Sequence, residues 1–533
     1  MPLHRRSSDE PRARREVSHW WTTAGPRSPR APLASGRDAD VCIVGGGFTG
    51  LWTAYHLIRA RPGLRIVVLE ARHVGYGASG RNGGALTADI AGTRSRLLSR
   101  HGRDAVVALQ REMEGAVRSV LEVCAAEGIR CDQHRGGSLR VARNRAQERR
   151  LREAVAEDRA LGRDEDDVRI LGPGELADRV RVSGARAARL DRRGARIQPA
   201  RLVLGLAAAV ERHGVTIHED TPVRRIVGAR GRGVAPGTAA VGEGELGSGR
   251  NARAVTDRGN VRAPCVLRCT DGFTSDLPGE RRTWLPLSAS MVVTEPLDPR
   301  TWGRIGWDGA ETLSDAAHAC GYAQRTVDGR IALGGRGAPY RFGSRRRDRG
   351  PTPDRTVRRL TDLVHAWFPG AADVPIADAW SGVLAVPRDW TPTVALDRAA
   401  GLGWAGGYVG TGIAASELAG RTLRDLVLAD DTPLTRLPWV RDRSRRWECE
   451  PLRWLAVHGV EALYRTADRR EDARDRDAGS GGLAGDHGGR DAHDGRRASG
   501  SGTADGTVAG TPPSPGRDRD DRLARIADRV AGR

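Results

Sequence analysis

The chain of 533 residues is 39% hydrophobic and 29% charged, long enough for two or three domains and a large core, and it holds no run of about 18 apolar residues that would form a membrane-spanning helix. All 87 basic residues are arginine; they give a formal charge of +20 but are interleaved with Asp and Glu and come with no recognition helix, zinc-finger spacing or RNP motif, so nucleic acid is not an expected partner. The basic start RRSSDEPRARR has no apolar segment behind it, and seven cysteines are too few and too uneven for a disulfide framework, so a cytoplasmic protein without a signal peptide is expected.

Residues 1–35 are Arg- and Pro-rich and are expected to be mobile, with Trp20 and Trp21 as the residues able to dock on the body. DADVCIVGGG reads as a short apolar strand entering a glycine turn, FTGLWTAYHLIRA as a helix and LRIVVLE as a second buried strand, which together make a βαβ unit. Cys42 sits in the first of these strands and Cys265 and Cys269 in a later one, where buried thiols are ordinary; no His or Cys pair completes a metal set. Apolar residues at 106, 109, 113, 117, 120 and 124 mark one face of a helix, and 200–214 forms another that stops at Gly214. VTIHED and VRAPCVLRCTDG read as strands around a Gly-rich surface loop at 228–250, further strands and helices alternate through 290–340, and 401–428 gives strand, glycine turn and helix. From about 465 the chain is Asp, Arg, Gly, Ser and His with few large apolar residues, a composition that buries too little surface to fold, although LARIADRV near the end has the pattern of a short amphipathic helix.

Gly45, Gly47 and Gly50 make G-x-G-x-x-G between strand and helix, with Phe48 and Thr49 opening the helix. The first glycine permits the tight turn, the second a close approach of backbone to a pyrophosphate, and the third close packing of helix on strand. Glu70 ends the next strand, 20 residues after Gly50 and just before Ala71 and Arg72, where a carboxylate accepts both ribose hydroxyls of an adenosine and repels a 2′-phosphate. Motif and context together predict a dinucleotide site, with NAD and FAD both open. GYGASGRNGGA follows at once, five glycines in eleven residues from Gly75 to Ala85. It returns over the nucleotide with little side chain, and Ser79, Arg81 and Asn82 offer donors to phosphate and to a polar ring.

VCIVGGGFTG, VVLE and GYGASGRNGG, together with TDGFTSDLPG, ALGGRGAPYRFGSR, WSGVLAVPRDWTPTVALD and GWAGGYVGTGIAASELAG in that order, resemble the FAD-dependent oxidoreductases of the D-amino-acid oxidase and glycine oxidase superfamily, nearest to its γ-glutamylputrescine oxidoreductase-like branch. The resemblance covers roughly residues 36–430. It implies an α/β fold in which a Rossmann-like FAD-binding domain (36–95, 195–285 and 375–435) is interleaved with an α+β substrate domain built on a mixed β-sheet (96–194 and 286–374). Beyond the reach of the resemblance, a helical extension (436–465) and, from composition, a disordered tail (466–533) are expected. The resemblance also implies that Ser79, Gly80, Arg81, Asn82, Gly83 and Gly84 lie along FAD. Val223 then holds the adenine through its backbone and Thr270 lies in the A-T-N-A-like turn. Gly407, Tyr408, Gly410, Thr411, Gly412 and Ile413 face the flavin pyrimidine ring, where a helix N-terminus favours negative charge on the reduced flavin.

The chemistry implied is hydride transfer to flavin N5 from the carbon bearing an amine nitrogen, the protein positioning the C–H bond, so no catalytic residue is singled out. Two departures bear on substrate and cofactor. Leu384, in WSGVLAVP, and about Gly410 stand where amino-acid oxidases of this kind often carry carboxylate-binding arginines, with Arg388 as a replacement. The positions that bind flavin covalently in some relatives hold neither Cys nor His, so FAD is expected to be non-covalent. Trp284, Tyr322, Trp380 and Trp390 are available to line an amine pocket, though any one serves more readily as a core or domain-interface aromatic, and His318 and His365 read as packing or surface residues. The expected function is oxidation of the C–N bond of an amine or γ-glutamylated amine, with oxygen as acceptor. The alternatives are a glycine or D-amino-acid oxidase, an amine dehydrogenase with another acceptor and, from a different class, a flavin-binding protein that uses its Arg-rich tail on an anionic partner.

Overall fold

The computed structural model describes residues 17–92, 94–229, 251–336, 340–346, 348–441, 444–480 and 523–528. Of the expected loop at 228–250, residues 230 onward lie outside the described residues, as do 1–16, 481–522 and 529–533 of the expected tails.

Four-residue runs of Val, Ile, Leu and Cys, the last ending in a buried Arg268, explain the first sheet. Val41–Val44, Ile66–Leu69 and Cys265–Arg268 are buried at every position, the pattern of parallel strands covered on both faces. The six-stranded sheet runs, from one edge to the other, Thr393–Asp397, Leu402–Gly406, Cys265–Arg268, Val41–Val44, Ile66–Leu69 and Thr216–His218, all parallel except the antiparallel first strand. Helices Phe48–Ala60, Pro199–Arg212 and Gly412–Leu428 share one apolar core with Val41, Ile43, Ile66 and Val68 of this sheet. A small sheet of Arg37–Asp38, Gly259–Ala263, Ala252–Thr256 and Val223–Val227 completes this half.

The second half is an eight-stranded mixed sheet in the order Ile376–Val386, Leu285–Thr294, Ile331–Arg336, Gly321–Arg325, Thr312–Asp315, Ser138–Ala142, Ala187–Asp191 and Val168–Leu171. The amphipathic helix Asp354–Trp367 buries Leu360, Val364 and Trp367 in a core that includes Leu313, Ala323, Ile331 and Leu333 of this sheet. Ile376–Val386, assigned from sequence to the FAD-binding segments, instead forms an edge of the large sheet, paired antiparallel with Leu285–Thr294 along almost its whole length. Its apolar pattern marked a strand without saying which sheet it joins.

The described parts of both terminal segments pack on the body. From Val17 the N-terminal segment packs on the body: Trp20 and Trp21 are buried in the turn Trp20–Thr23, and Leu33 is buried as well. One helix, Leu452–Ser480, runs past the expected boundary at 466, held where Arg150 pairs with Glu471 at 2.6 Å and His318 bonds the same carboxylate at 3.1 Å. Residues 523–528, in the LARIADRV stretch, are helical, and Asp528 accepts a hydrogen bond from the Tyr464 hydroxyl.

Candidate active site

The glycine turn leaves the sheet at the end of Val41–Val44. Gly45 has φ 112°, and a Cβ there would lie 2.5 Å from the Cys269 carbonyl oxygen, close to Thr270 N, so Thr270 faces it across the turn. At Gly50 a Cβ would lie 2.0 Å from the Gly45 carbonyl oxygen. Gly47 precedes helix Phe48–Ala60 and has no side chain to cap it; Phe48 N donates to Ser79 Oγ at 2.8 Å. The N–H groups of Gly47, Thr49 and Gly50 have no hydrogen-bond partner among the described residues. Open donors at the positive end of a helix suit an anion.

Glu70 lies beside this turn. Its carboxylate accepts from Gly46 N at 2.7 Å and from Arg72 N at 3.0 Å. Burial pushes its pKa up to about 7, the two N–H bonds pull the other way, and Glu219 nearby adds to the rise. Ala71 and Arg72 are exposed. Glu70 N donates to the His218 carbonyl and Thr221 N to the Glu70 carbonyl, so the chain leading to half-buried Val223 runs alongside.

The loop at 75–84 is fastened differently from expectation. The donors offered to a cofactor are largely committed within the protein. Arg81 Nε binds the Tyr76 carbonyl and Nη1 the Ser381 carbonyl, while Asn82 bonds Ala78 O, Ser79 O and Gly84 N; only Arg81 Nη2 is buried without a partner. These bonds make a tight local fold that links the loop to the large sheet. The N-terminal turn clasps it from outside: Ser18 Oγ donates to Gly80 O at 2.6 Å and Trp20 Nε1 to Asn82 O at 2.8 Å. Trp380 Nε1 donates to Arg81 O, and its ring meets Trp20 edge-on at 5.7 Å between centroids. Tyr322 lies so close to Gly83 that a Cβ there would come within 2.7 Å of its ring, and burial raises its phenol above the ordinary pKa. A Cβ at Gly84 would lie 2.2 Å from the Ile197 carbonyl oxygen.

The C-terminal turn closes the arrangement. Gly407 N donates to Asp271 Oδ1 at 3.0 Å, and Asp271 Oδ2 accepts from Ala385 N at 3.1 Å, so one half-buried carboxylate joins the turn to the large sheet. Tyr408 Oη lies 3.1 Å from Thr49 Oγ1. Gly410 has φ 107°, Thr411 lends its hydroxyl to the Tyr408 carbonyl and leaves the next helix uncapped, and Gly412 and buried Ile413 begin that helix. The structure thus brings the 45–50 and 407–413 turns together. Arg388 is engaged elsewhere: it pairs with Glu448 at 3.0 Å and stacks on Trp447. Trp284 packs against Gly406 and Gly407, while Trp390 joins a separate apolar cluster.

Across residues 40–426 the chain matches the family model described as DAO, FAD dependent oxidoreductase. The chain belongs to this DAO family. It is similar to the γ-glutamylputrescine oxidoreductase of Escherichia coli, 28% identical over 423 residues, 78% of this chain and 89% of that protein. It is similar also to a probable oxidoreductase, OrdL, of Rhizobium meliloti, 27% identical over 78% of this chain and 90% of that one. Its fold matches glycine oxidase from Geobacillus kaustophilus with a TM-score of 0.62 at 20% identity, over 76% of this chain and 99% of that one. No helix among the described residues is long and apolar enough to cross a membrane.

As a DAO-family member the protein is an FAD-dependent oxidoreductase, and its residues fit that cofactor. Open N–H donors at the glycine turn suit a pyrophosphate, Glu70 suits the adenosine ribose, and the uncapped helix at Gly412 suits an electron-rich ring edge. Sequence reading missed three contributors. Asp271 was visible only as part of a TDG turn, Gln324, whose Nε2 donates to Gly83 O at 2.7 Å, gave no signal, and the clasp by Ser18 was signalled only by the adjacent WW pair in an Arg- and Pro-rich segment.

Proposed function

We propose that this protein oxidises the C–N bond of an amine or γ-glutamylated amine, giving an imine that hydrolyses to an aldehyde, with oxygen as acceptor and FAD held non-covalently. Bound FAD supplies the acceptor for a hydride from the carbon bearing nitrogen. The chain's own part is to hold that carbon and exclude water. Tyr322, Trp380 and Trp20 lie around the Gly80–Gly83 backbone as an aromatic wall suited to an amine. One observation carries the choice of amine over α-amino acid. Leu384 and Gly410 hold no arginine, and the replacement, Arg388, is already paired with Glu448. The similarity to a γ-glutamylputrescine oxidoreductase supports the same choice.

The test is anaerobic mixing of the purified flavoprotein with γ-glutamylputrescine, simple diamines, glycine and D-amino acids. Loss of oxidised-flavin absorbance with the amines alone is expected; bleaching by the amino acids alone would overturn the reading. Denaturation should release the flavin into solution, and flavin retained on the polypeptide would mean a covalent link.

Glu70 gives a pH prediction. Its pKa of about 7 in the flavin-free fold lies above the unfolded value of about 4.3, so its contribution to stability is full below that value and is lost as pH rises through 7. Ribose hydroxyls donating to the carboxylate favour its charged form. FAD should therefore bind more tightly as pH rises from about 5.5 to 7.5, by up to tenfold for each pKa unit the cofactor restores. Reconstitution titrations of flavin-free protein should show this slope, and Glu70→Gln should flatten it. A flat profile in the unmodified protein would remove Glu70 from the ribose site.

A further inference from the structure

Along the paired strands Leu285–Thr294 and Ile376–Val386, side chains alternate between the two faces of the large sheet. One face carries the pairs Met291–Trp380, Ala289–Gly382, Leu287–Leu384 and Leu285–Val386 in succession. It is the face turned to the 75–84 loop: Trp380 Nε1 donates to Arg81 O, and a Cβ at Gly382 would lie 3.3 Å from Arg81 Cβ. The first and last of these pairs are buried, whereas all four residues of the middle two are only half-buried. The face therefore opens in its middle, beside the loop that the proposed function places along the flavin.

Two further elements border this opening. Val409, half-buried between Tyr408 and Gly410 of the C-terminal turn, packs on the same apolar cluster as Leu287 and Leu384. The other element is helix Leu452–Ser480, which lies beyond the residues 40–426 of the family match. Arg453, Val460 and Tyr464 make a buried stripe along it. Val457 stands in that stripe and packs on the same cluster, yet it stays half-buried. A stripe residue left half-open between buried neighbours borders open space. The start of the helix is fixed there: Glu450 pairs with Arg453 at 2.9 Å and accepts from Gly343 N at 2.9 Å, and His458 Nε2 lies 3.1 Å from the Tyr340 carbonyl oxygen. The neighbouring cations are engaged, Arg453 by Glu450 and Arg388 by Glu448. Leucine and valine side chains around such a space suit hydrocarbon, each buried methylene gaining its transfer free energy from water.

We infer that Leu287, Leu384, Val409 and Val457 form an apolar subsite for the hydrocarbon attached to the oxidised carbon, with helix Leu452–Ser480 as its outer wall. Val457 is then a specificity residue supplied from outside the matched part of the chain, and it meets the longer substrates. This rests on the proposed amine oxidation and deepens it.

Straight-chain alcohols carry no nitrogen, so they report the subsite apart from amine oxidation. Titrated into oxidised holoenzyme and followed by the shift of the flavin spectrum, propanol to hexanol should bind about three- to fourfold more tightly for each added methylene. Val457→Ala should weaken hexanol by about threefold or more and leave propanol unchanged. Val457→Asp should abolish the gain with chain length, and both variants should keep their FAD. Leu455→Asp, on the exposed side of the same helix, should behave as the parent. Equal affinities along the series, or a Val457→Ala protein with the parent's gain, would overturn the assignment. Loss of FAD from Val457→Ala would overturn it too, since the flavin would then be the occupant. If the alcohols show the gain while no alkylamine bleaches the flavin, the subsite stands and amine oxidation falls. If alkylamines bleach the flavin with an affinity indifferent to chain length, the reverse holds.

Discussion

Trp20→Ala should destabilise the protein by about 3–5 kcal/mol, the usual cost of emptying a buried Trp site, and should release most of the flavin on gel filtration. The indole is 2% exposed and meets Trp380 of the large sheet edge-on. Its N–H holds the Asn82 carbonyl, and its own carbonyl accepts from Gln198 Nε2 at 2.6 Å. One residue thus ties the N-terminal segment, the 75–84 loop, the large sheet and the start of helix Pro199–Arg212 together. Truncation removes the packing and leaves a carbonyl without its donor. Trp20→Phe keeps most of the volume and loses the hydrogen bond, so it should cost about 1–2 kcal/mol and retain flavin. The measurement is the flavin-to-protein ratio after gel filtration, together with the rate of flavin release. If Trp20→Ala kept a full complement of flavin, the N-terminal segment would be a covering over the site and no part of it.

What could be read from sequence follows the range of the interactions. The glycine turn was legible because strand, turn and helix are contiguous: Gly45 and Gly50 act on backbone within a few residues or on one neighbouring strand. Glu70 was legible because the length of a βαβ unit fixes where its second strand ends. The sheet that Ile376–Val386 joins was not, since an edge strand of one sheet and a strand of another share the same apolar pattern. Arg81 and Asn82 looked like free donors although the Tyr76 and Ala78 carbonyls that claim them lie within five residues, because a glycine-rich loop has no regular period from which such bonds can be read; the Ser381 carbonyl is distant as well. Arg388 looked like a carboxylate ligand because its partner Glu448 lies sixty residues on.

Gly50→Ala should lower FAD affinity at least tenfold, although it adds a single methyl group. The new Cβ would lie 2.0 Å from the Gly45 carbonyl oxygen and 3.1 Å from Ile43 Cγ2. Gly45 cannot retreat: its left-handed conformation holds it against the Cys269 carbonyl, where a Cβ of its own would have 2.5 Å. Nor can helix Phe48–Ala60 move away freely, because Gly420 of the neighbouring helix packs so tightly on it that a Cβ there would come within 2.8 Å of the Trp52 carbonyl carbon. Overpacking of this kind costs about 1–3 kcal/mol, sometimes more. Relief comes by tilting the first turn of the helix, which carries the open N–H groups of Thr49 and Gly50 off their aim. Since about 1.4 kcal/mol is a factor of ten, all but the lowest part of that range gives the expected loss. Gly115→Ala is the control, lying within a helix where the nearest atom to a Cβ is the flexible end of Arg118 of the same helix, 3.8 Å away; it should gain about 0.5–1 kcal/mol of stability and bind flavin normally. Quenching of FAD fluorescence during reconstitution measures the affinity, and circular dichroism shows whether the variant remains folded. A folded Gly50→Ala protein that binds FAD as tightly as the parent would mean that the helix N-terminus does not hold the pyrophosphate.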